Sequence, residues 1–287
     1  MTTTTALHLA QARAFHALHH NGSVLTLANA WDVASARLVE QAGGAAVATT
    51  SAGVAWSLGA ADGDRLARDR ALDLIARVVA AVDVPVSADI ESGFGSDPAG
   101  VAETIQGVLA AGAVGVNIED ACYRTSSPLR PVEDQTRRIA AARAVADNAG
   151  IPLYVNARID TYLRQVGEPD TRIAATIERA RAYLAAGASG VFVPGVVDPD
   201  TISALVAAIP APVNIMAGPG APSVAELGKL GVARVSVGSA IAQAAYGVVR
   251  RATRELLSTG GYGELAGALD YGEVNALLAH DGSDTNR

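Results

Sequence analysis

The sequence predicts an α/β protein of the (β/α)8 type, a closed parallel barrel with extra C-terminal helices. Three observations predict it. Short apolar segments alternate with segments of helical length through nearly all of the 287 residues, as in repeated βα units. Glycines stand before several apolar segments, where a helix must end. The length suits one barrel of roughly 250 residues with some chain left over, so residues 1–287 are expected to form a single domain.

Residues 1–22 read as an N-terminal helix, threonine-capped and running from Met1 to His20, with Leu7, Leu9, Ala14 and Leu18 as its apolar members. Eight strands follow: Val24–Ala28, Ala45–Thr50, Pro85–Glu91, Val114–Glu119, Leu153–Ala157, Gly190–Pro194, Val213–Met216 and Arg234–Val237. Between them lie Ala-, Leu- and Arg-rich helical stretches such as Arg65–Val82, Val132–Asn148, Thr171–Ala186 and Val224–Leu230. Gly43, Gly112, Gly187 and Gly231 each precede a strand by a few residues. Pro85, Pro152 and Pro212 open three other strands, where a missing N–H is tolerated. A doubly wound open sheet shares the alternation, but no Gly-x-Gly-x-x-Gly turn follows the first strand. Residues 240–279 supply more helices than a barrel needs, at Gln243–Ser258, Tyr262–Leu269 and Gly272–Leu278, and suit packing against a neighbouring subunit. The tail, residues 280–287, is polar and reads as disordered.

Composition removes several function classes. A net charge of −7 and a pI near 5.2 speak against nucleic acid, which needs a basic face. No apolar run reaches the roughly 20 residues of a membrane span, and the start lacks the pattern of a signal peptide. Cys122, the single cysteine, excludes an internal disulfide and fits a reducing cytoplasm. The single lysine, Lys229, lies in a predicted helix away from any strand end, which argues against Schiff-base chemistry. His8, His16, His19, His20 and His280 crowd the termini, so a His-ligated zinc inside the barrel is not expected.

In such a barrel the site gathers at the C-terminal strand ends. Those ends read Asn29-Ala30-Trp31-Asp32, Thr49-Thr50-Ser51, Asp89-Ile90-Glu91, Asn117-Ile118-Glu119-Asp120 and Asn156-Ala157-Arg158-Ile159-Asp160. Asp89 and Glu91 are two apart and are expected to share one face of their strand, with Glu119 reaching the same space. Carboxylates this close repel unless a cation neutralises them, and hard oxygen ligands suit Mg2+ or Mn2+. Asp89, Glu91 and Glu119 are therefore the candidate metal ligands. Arg158 offers a bidentate donor for a carboxylate or phosphate, or a counter-charge for the acids. The Thr50-Ser51 turn offers hydroxyl and N–H donors to an anion, or ordinary turn chemistry. Trp31, Asp32, Asn156 and Asn214 complete the candidate substrate contacts. Asp120 and Asp160 read equally well as structural acids.

Taken in order, Asn29-Ala30-Trp31-Asp32-Val33-Ala34-Ser35-Ala36, the Ser57-Leu58-Gly59…Asp62 loop, Ala88-Asp89-Ile90-Glu91-Ser92-Gly93-Phe94-Gly95, Asn117-Ile118-Glu119-Asp120 and Asn156-Ala157-Arg158-Ile159-Asp160 resemble the isocitrate lyase/phosphoenolpyruvate mutase superfamily. The resemblance runs from about Phe15 to about Gly247. It implies a Mg2+-dependent barrel, usually a homotetramer built as a dimer of dimers that exchanges C-terminal helices. It implies Asp89 as the main metal ligand, with Glu91 and Glu119 helping partly through water, and Arg158 with the Thr50-Ser51 turn as the substrate's anchor. Asp62 would lie on a mobile loop over the site, and the catalytic set would be Asp62, Glu119 and Arg158. Substrates of the superfamily are small 2-oxo or 2-hydroxy acids, and their shared intermediate is a metal-held enolate.

The chain departs from that pattern twice. Glu91 replaces the second acid of the family's Asp-x-Asp. The segment Ala121-Cys122-Tyr123-Arg124-Thr125-Ser126-Ser127-Pro128-Leu129-Arg130 replaces the lyases' Lys-Lys-Cys-Gly-His loop and lacks the asparagine common in the phosphonate enzymes. The expected activity is C–C cleavage of a 2-oxo or 2-hydroxy (di)carboxylic acid, with Asp62, Tyr123 or a water moving the proton. C–P chemistry and a non-catalytic 2-oxo-acid-binding barrel are the rivals.

Overall fold

The computed structural model describes residues 3–123 and 126–279; the predicted tail at 280–287 lies outside the described residues. Helix α1 (Thr3–Leu18) precedes the barrel strands β1 (Leu25–Leu27), β2 (Asn29–Ala30), β3 (Val47–Thr49), β4 (Val86–Asp89), β5 (Gly115–Glu119), β6 (Tyr154–Arg158), β7 (Gly190–Val193), β8 (Val213–Met216) and β9 (Arg234–Ser236). All pairings are parallel, in the order β1-β9-β8-β7-β6-β5-β4-β3-β2. β1 and β2 flank Ala28 in one stretch of chain; β1 pairs with β9 and β2 with β3. The predicted first strand is thus one stave in two pieces, and the (β/α)8 barrel closes through it.

Around the barrel run α2 (Val33–Gln41), α3 (Ser51–Ser57), α4 (Arg68–Ala81), α5 (Pro98–Ala110), α6 (Val132–Asn148), α7 (Pro169–Ala185), α8 (Pro199–Ala208) and α9 (Val224–Lys229), followed by α10 (Ala240–Thr259) and α11 (Tyr271–Leu278). Pro98, Pro169 and Pro199 open their helices, where the lost N–H would have no partner anyway. Gly112 and Gly187 take φ of 88° and 104° after α5 and α7, the left-handed exits expected of them. The main core lies between strands and helices, built from residues such as Ile105, Val116, Ile139, Val155, Val191 and Ile215. Among the described residues no helix is long and apolar enough to cross a membrane.

α1 closes the N-terminal end of the barrel. Its buried face is Ala12 and Phe15, continued by His19 just past its end, rather than the predicted apolar members: Leu7 and Ala14 are exposed, and Leu9 and Leu18 are half-buried. Phe15 packs so near Gly115 that a Cβ there would meet the ring at 2.7 Å. His19 stacks on Tyr154 at 3.8 Å between centroids, and its Nδ1 meets the Phe15 carbonyl at 2.8 Å. Burial, helped by Arg234, pushes the His19 pKa down to about 3 from 6.5. The unfolded chain then binds a proton that the folded chain refuses. Stability is fully present above about pH 6.5 and is lost as pH falls toward 3, at about 1.4 kcal/mol per pH unit. We expect the parent to lose about 2 kcal/mol of stability relative to His19→Phe between about pH 6.5 and pH 5 in denaturant titrations, since the phenylalanine keeps the stack but cannot titrate.

The C-terminal extension differs from expectation in one place. Tyr262–Leu269 is not a helix but a single 3-10 turn at Gly263–Leu265, because Gly261, Gly263 and Gly267 weaken a helix there. α10 keeps only Ala242 buried and leaves Ile241, Tyr246, Val249 and Leu257 exposed.

Candidate active site

A cavity of about 170 Å3 opens among the C-terminal strand ends, with Thr50, Ser51, Asp62, Asp89, Asn117 and Arg158 on its polar side and Leu163, Phe192 and Met216 on its apolar side. This is smaller than the roughly 300–1,000 Å3 of sites for drug-sized ligands. Asp89 ends β4. Its N–H donates to Thr49 Oγ1 at 2.8 Å, and its Oδ2 accepts from the Ser51 N–H at 3.1 Å and the Ser51 hydroxyl at 2.9 Å. Its Oδ1 is buried with no hydrogen-bond partner. The Thr50-Ser51 turn, read as an anion cradle, therefore already holds one anion, the Asp89 carboxylate.

Glu119 and Arg158 end neighbouring strands in direct register. The Arg158 guanidinium meets Glu119 Oε2 at 2.7 Å and grips Asp160 with two bonds of 2.6 and 3.0 Å. Both carboxylates are buried. Burial pushes the Glu119 carboxyl upward, and Arg158 pulls it back. Asp120 is structural: it accepts from the Asp160 N–H, Arg179 and the Tyr183 hydroxyl. Asp62 enters the cavity from the loop after α3. Burial, then the nearby Asp89, raises its pKa, with Arg158 opposing.

Five sequence-predicted residues are placed otherwise. Glu91 does not share a face with Asp89, because β4 ends at Asp89 and Glu91 adopts φ of 50°. Its carboxylate turns to the loop backbone, accepting from Gly63 N–H at 3.0 Å and from Asp64 N–H. Asp32 caps α2 through the Ser35 N–H in a reciprocal capping box. Trp31 lines a separate apolar cleft with Leu38, Val39 and Ile241. Asn156 and Asn214 lie buried under the cavity and bond each other at 3.1 Å.

Asn117 and Asn29, absent from the predicted contacts, do line the cavity. Asn117 Oδ1 accepts from Asn156 at 2.8 Å and from Arg234 at 3.3 Å. Arginine can only donate, so the oxygen must face it, and the Asn117 amide orientation is fixed. The signal was available: Asn117 stands two residues before Glu119, as Asn156 does before Arg158, so both pairs share an inward face.

Among the described residues, no three Asp, Glu, His or Cys side chains gather into a metal cage. The donor set still fits Mg2+, which commonly takes one or two carboxylates, keeps several waters and leaves other positions to substrate oxygens. Asp89 Oδ1, buried and unpartnered, is the atom such an ion would satisfy.

The sequence profile of phosphoenolpyruvate phosphomutase matches residues 15–257. The chain belongs to this family, within the isocitrate lyase/phosphoenolpyruvate mutase superfamily. An uncharacterised protein of Mycobacterium tuberculosis (strain H37Rv), Rv1998c, is 41% identical over 266 residues, 92% of this chain and 95% of that one. A crystal structure from Burkholderia cenocepacia J2315, provisionally described as a lyase/mutase, superposes with a TM-score of 0.89 at 42% identity, over 96% of this chain and 98% of that one. A phosphonopyruvate hydrolase in complex with oxalate and Mg2+ gives a TM-score of 0.81 at 27% identity, over 93% and 94%.

In the segment that departs from the family pattern after β5, Ala121 and Leu129 pair in an isolated antiparallel bridge. Cys122 is not among the cavity-lining residues. Its neighbour Tyr123 donates its hydroxyl to Glu119 Oε1 at 2.5 Å; burial, then Glu119, pushes the phenol's pKa upward.

Proposed function

We propose that the chain is a Mg2+-dependent lyase that cleaves a C–C bond in a small 2-oxo or 2-hydroxy (di)carboxylic acid. The observation that carries this reading is the unpartnered Asp89 Oδ1 in a cavity shared with Arg158 and Asp62. Mg2+, held by Asp89 and water with help from Glu119, would supply Lewis-acid stabilisation of negative charge on the substrate. Arg158, fixed from behind by Asp160, presents its remaining donor capacity to the substrate carboxylate. Glu119 holds the other side of that guanidinium and so sets its angle. Asp62, with its pKa raised, can carry a proton to or from the carbon or oxygen that changes charge. Leu163, Phe192 and Met216 keep water from that carbon.

Phosphonopyruvate-type C–P chemistry is the second reading, favoured by likeness to the hydrolase over nearly the whole chain and opposed by the missing loop asparagine. Calorimetric titration with oxalate tests the site under either reading: binding is expected with Mg2+ present and absent without it. Asp62→Asn should retain that binding while slowing turnover about 100- to 10,000-fold. Oxalate binding indifferent to Mg2+ would sink the proposal.

A further inference from the structure

The two departures from the family pattern, Glu91 and the segment after β5, converge on one residue, Gly63. We propose that Glu91 and Tyr123 are positioning residues that fasten the loop carrying Asp62 over the cavity before any ligand arrives. The proposal rests on the reading of Asp62 as the proton-carrying group.

From the β4 side, Glu91 Oε2 accepts both the Gly63 and the Asp64 N–H. Glu91 is buried but does not line the cavity, so its carboxylate serves the loop. An aspartate, one methylene shorter, would fall short of both amides from the same backbone position. From the β5 side, the Tyr123 ring lies against Gly63. Gly63 has φ of 97°, and a Cβ there would sit 2.9 Å from the ring. The same ring is covered by the Arg164 guanidinium at 4.6 Å, and its hydroxyl is tied to Glu119. Tyr123 thereby spans from the loop to the carboxylate that orients Arg158.

A third tether lies beyond Gly63. Asp64, at φ of 56°, accepts from the Ser92 N–H and hydroxyl. Ser92 Oγ also accepts from Arg130 at 3.1 Å. Both residues after Asp62 are thus pinned, two of the pins being the Glu91 bonds. A loop ordered in the free protein does not charge its conformational entropy against ligand binding, and it holds Asp62 within reach of the reacting atoms. Glu91 would then act on chemistry through Asp62 and not as a direct metal ligand.

The test combines hydrogen exchange over residues 59–66 with Mn2+ titration of the full chain. Glu91→Asp and Tyr123→Ala should each speed exchange of that segment about tenfold, as expected for losing a net hydrogen bond or two, while Mn2+ affinity stays within about threefold of the parent. Tyr123→Phe keeps the ring and should retain most of the protection. Unchanged exchange in both Glu91→Asp and Tyr123→Ala would overturn the proposal. So would a loss of Mn2+ affinity in Glu91→Asp as large as in Asp89→Ala, which would make Glu91 a ligand. Should Glu91→Asp fail to fold, Tyr123→Ala decides alone, since it leaves the strand end intact. Wild-type Mn2+ affinity in Asp89→Ala would instead contradict the metal reading under Proposed function, leaving the loop result to stand.

Discussion

Asp89→Ala is expected to abolish Mg2+-dependent oxalate binding and to reduce turnover by about 1,000-fold or more. The size follows from the chemistry assigned to the ion. Lewis-acid stabilisation of a developing negative charge supplies several kcal/mol, and each 1.4 kcal/mol is a factor of about ten in rate. Among the described residues, Asp89 offers the one carboxylate oxygen in the cavity that is buried without a partner, while Ser51 fixes the other. The alanine variant also releases the Ser51 hydroxyl and N–H, so its fold should be checked by thermal melting. Asp89→Asn separates the effects, because it keeps the Ser51 bonds through its amide oxygen but removes the charge. It should melt like the parent and still bind no Mg2+. Calorimetry with Mg2+ and oxalate reads both variants.

The second large effect is on stability as well as binding. Arg158 is the cation between buried Glu119 and buried Asp160. Arg158→Met keeps much of the side chain's volume, leaves buried Glu119 without its counter-charge, and leaves Asp160 with only the longer Arg164 contact of 3.3 Å. Removing one partner of a buried ion pair costs about 3–5 kcal/mol, so denaturant midpoints should fall by that order near neutral pH. Part of the loss should return as pH falls, starting from a higher pH than an ordinary carboxyl would require, because removing Arg158 removes the charge that opposed the already raised pKa of Glu119. Oxalate binding should be lost at every pH. A variant as stable as the parent would contradict the counter-charge role; one that binds oxalate normally would contradict the anchoring role.

The barrel was legible because its signals are local and repeated. Period-two alternation in β5 and β6 places Asn117 and Glu119, and Asn156 and Arg158, on the inner face, and prolines and glycines mark element ends. The same alternation misled at Glu91, because the chain leaves β4 after Asp89 and turns left-handed, which spacing alone does not announce. Asp32 looked like a site residue at a strand end, yet Asp32-x-x-Ser35 is also a helix start, and capping claimed it. α1 and the turn after it bury Phe15 and His19 because their partner surface is the barrel floor. A histidine in an apolar stripe is hidden from a reading that counts leucines. Tyr123 was one candidate among several until the structure laid it between Gly63 and Glu119, a contact between loops distant in sequence.

The measurement that bears most directly on the account is a turnover assay with Mg2+ on oxaloacetate, 2-methylisocitrate, 2,3-dimethylmalate and phosphonopyruvate, following pyruvate or oxalate release, with Asp89→Ala as control. The account predicts Mg2+-dependent C–C cleavage of one of the three carbon acids, lost in the variant. Release of pyruvate from phosphonopyruvate alone would move the chain to C–P chemistry. Silence across the panel, with oxalate still bound in the presence of Mg2+, would contradict the lyase and favour a barrel that binds a 2-oxo acid without turning it over.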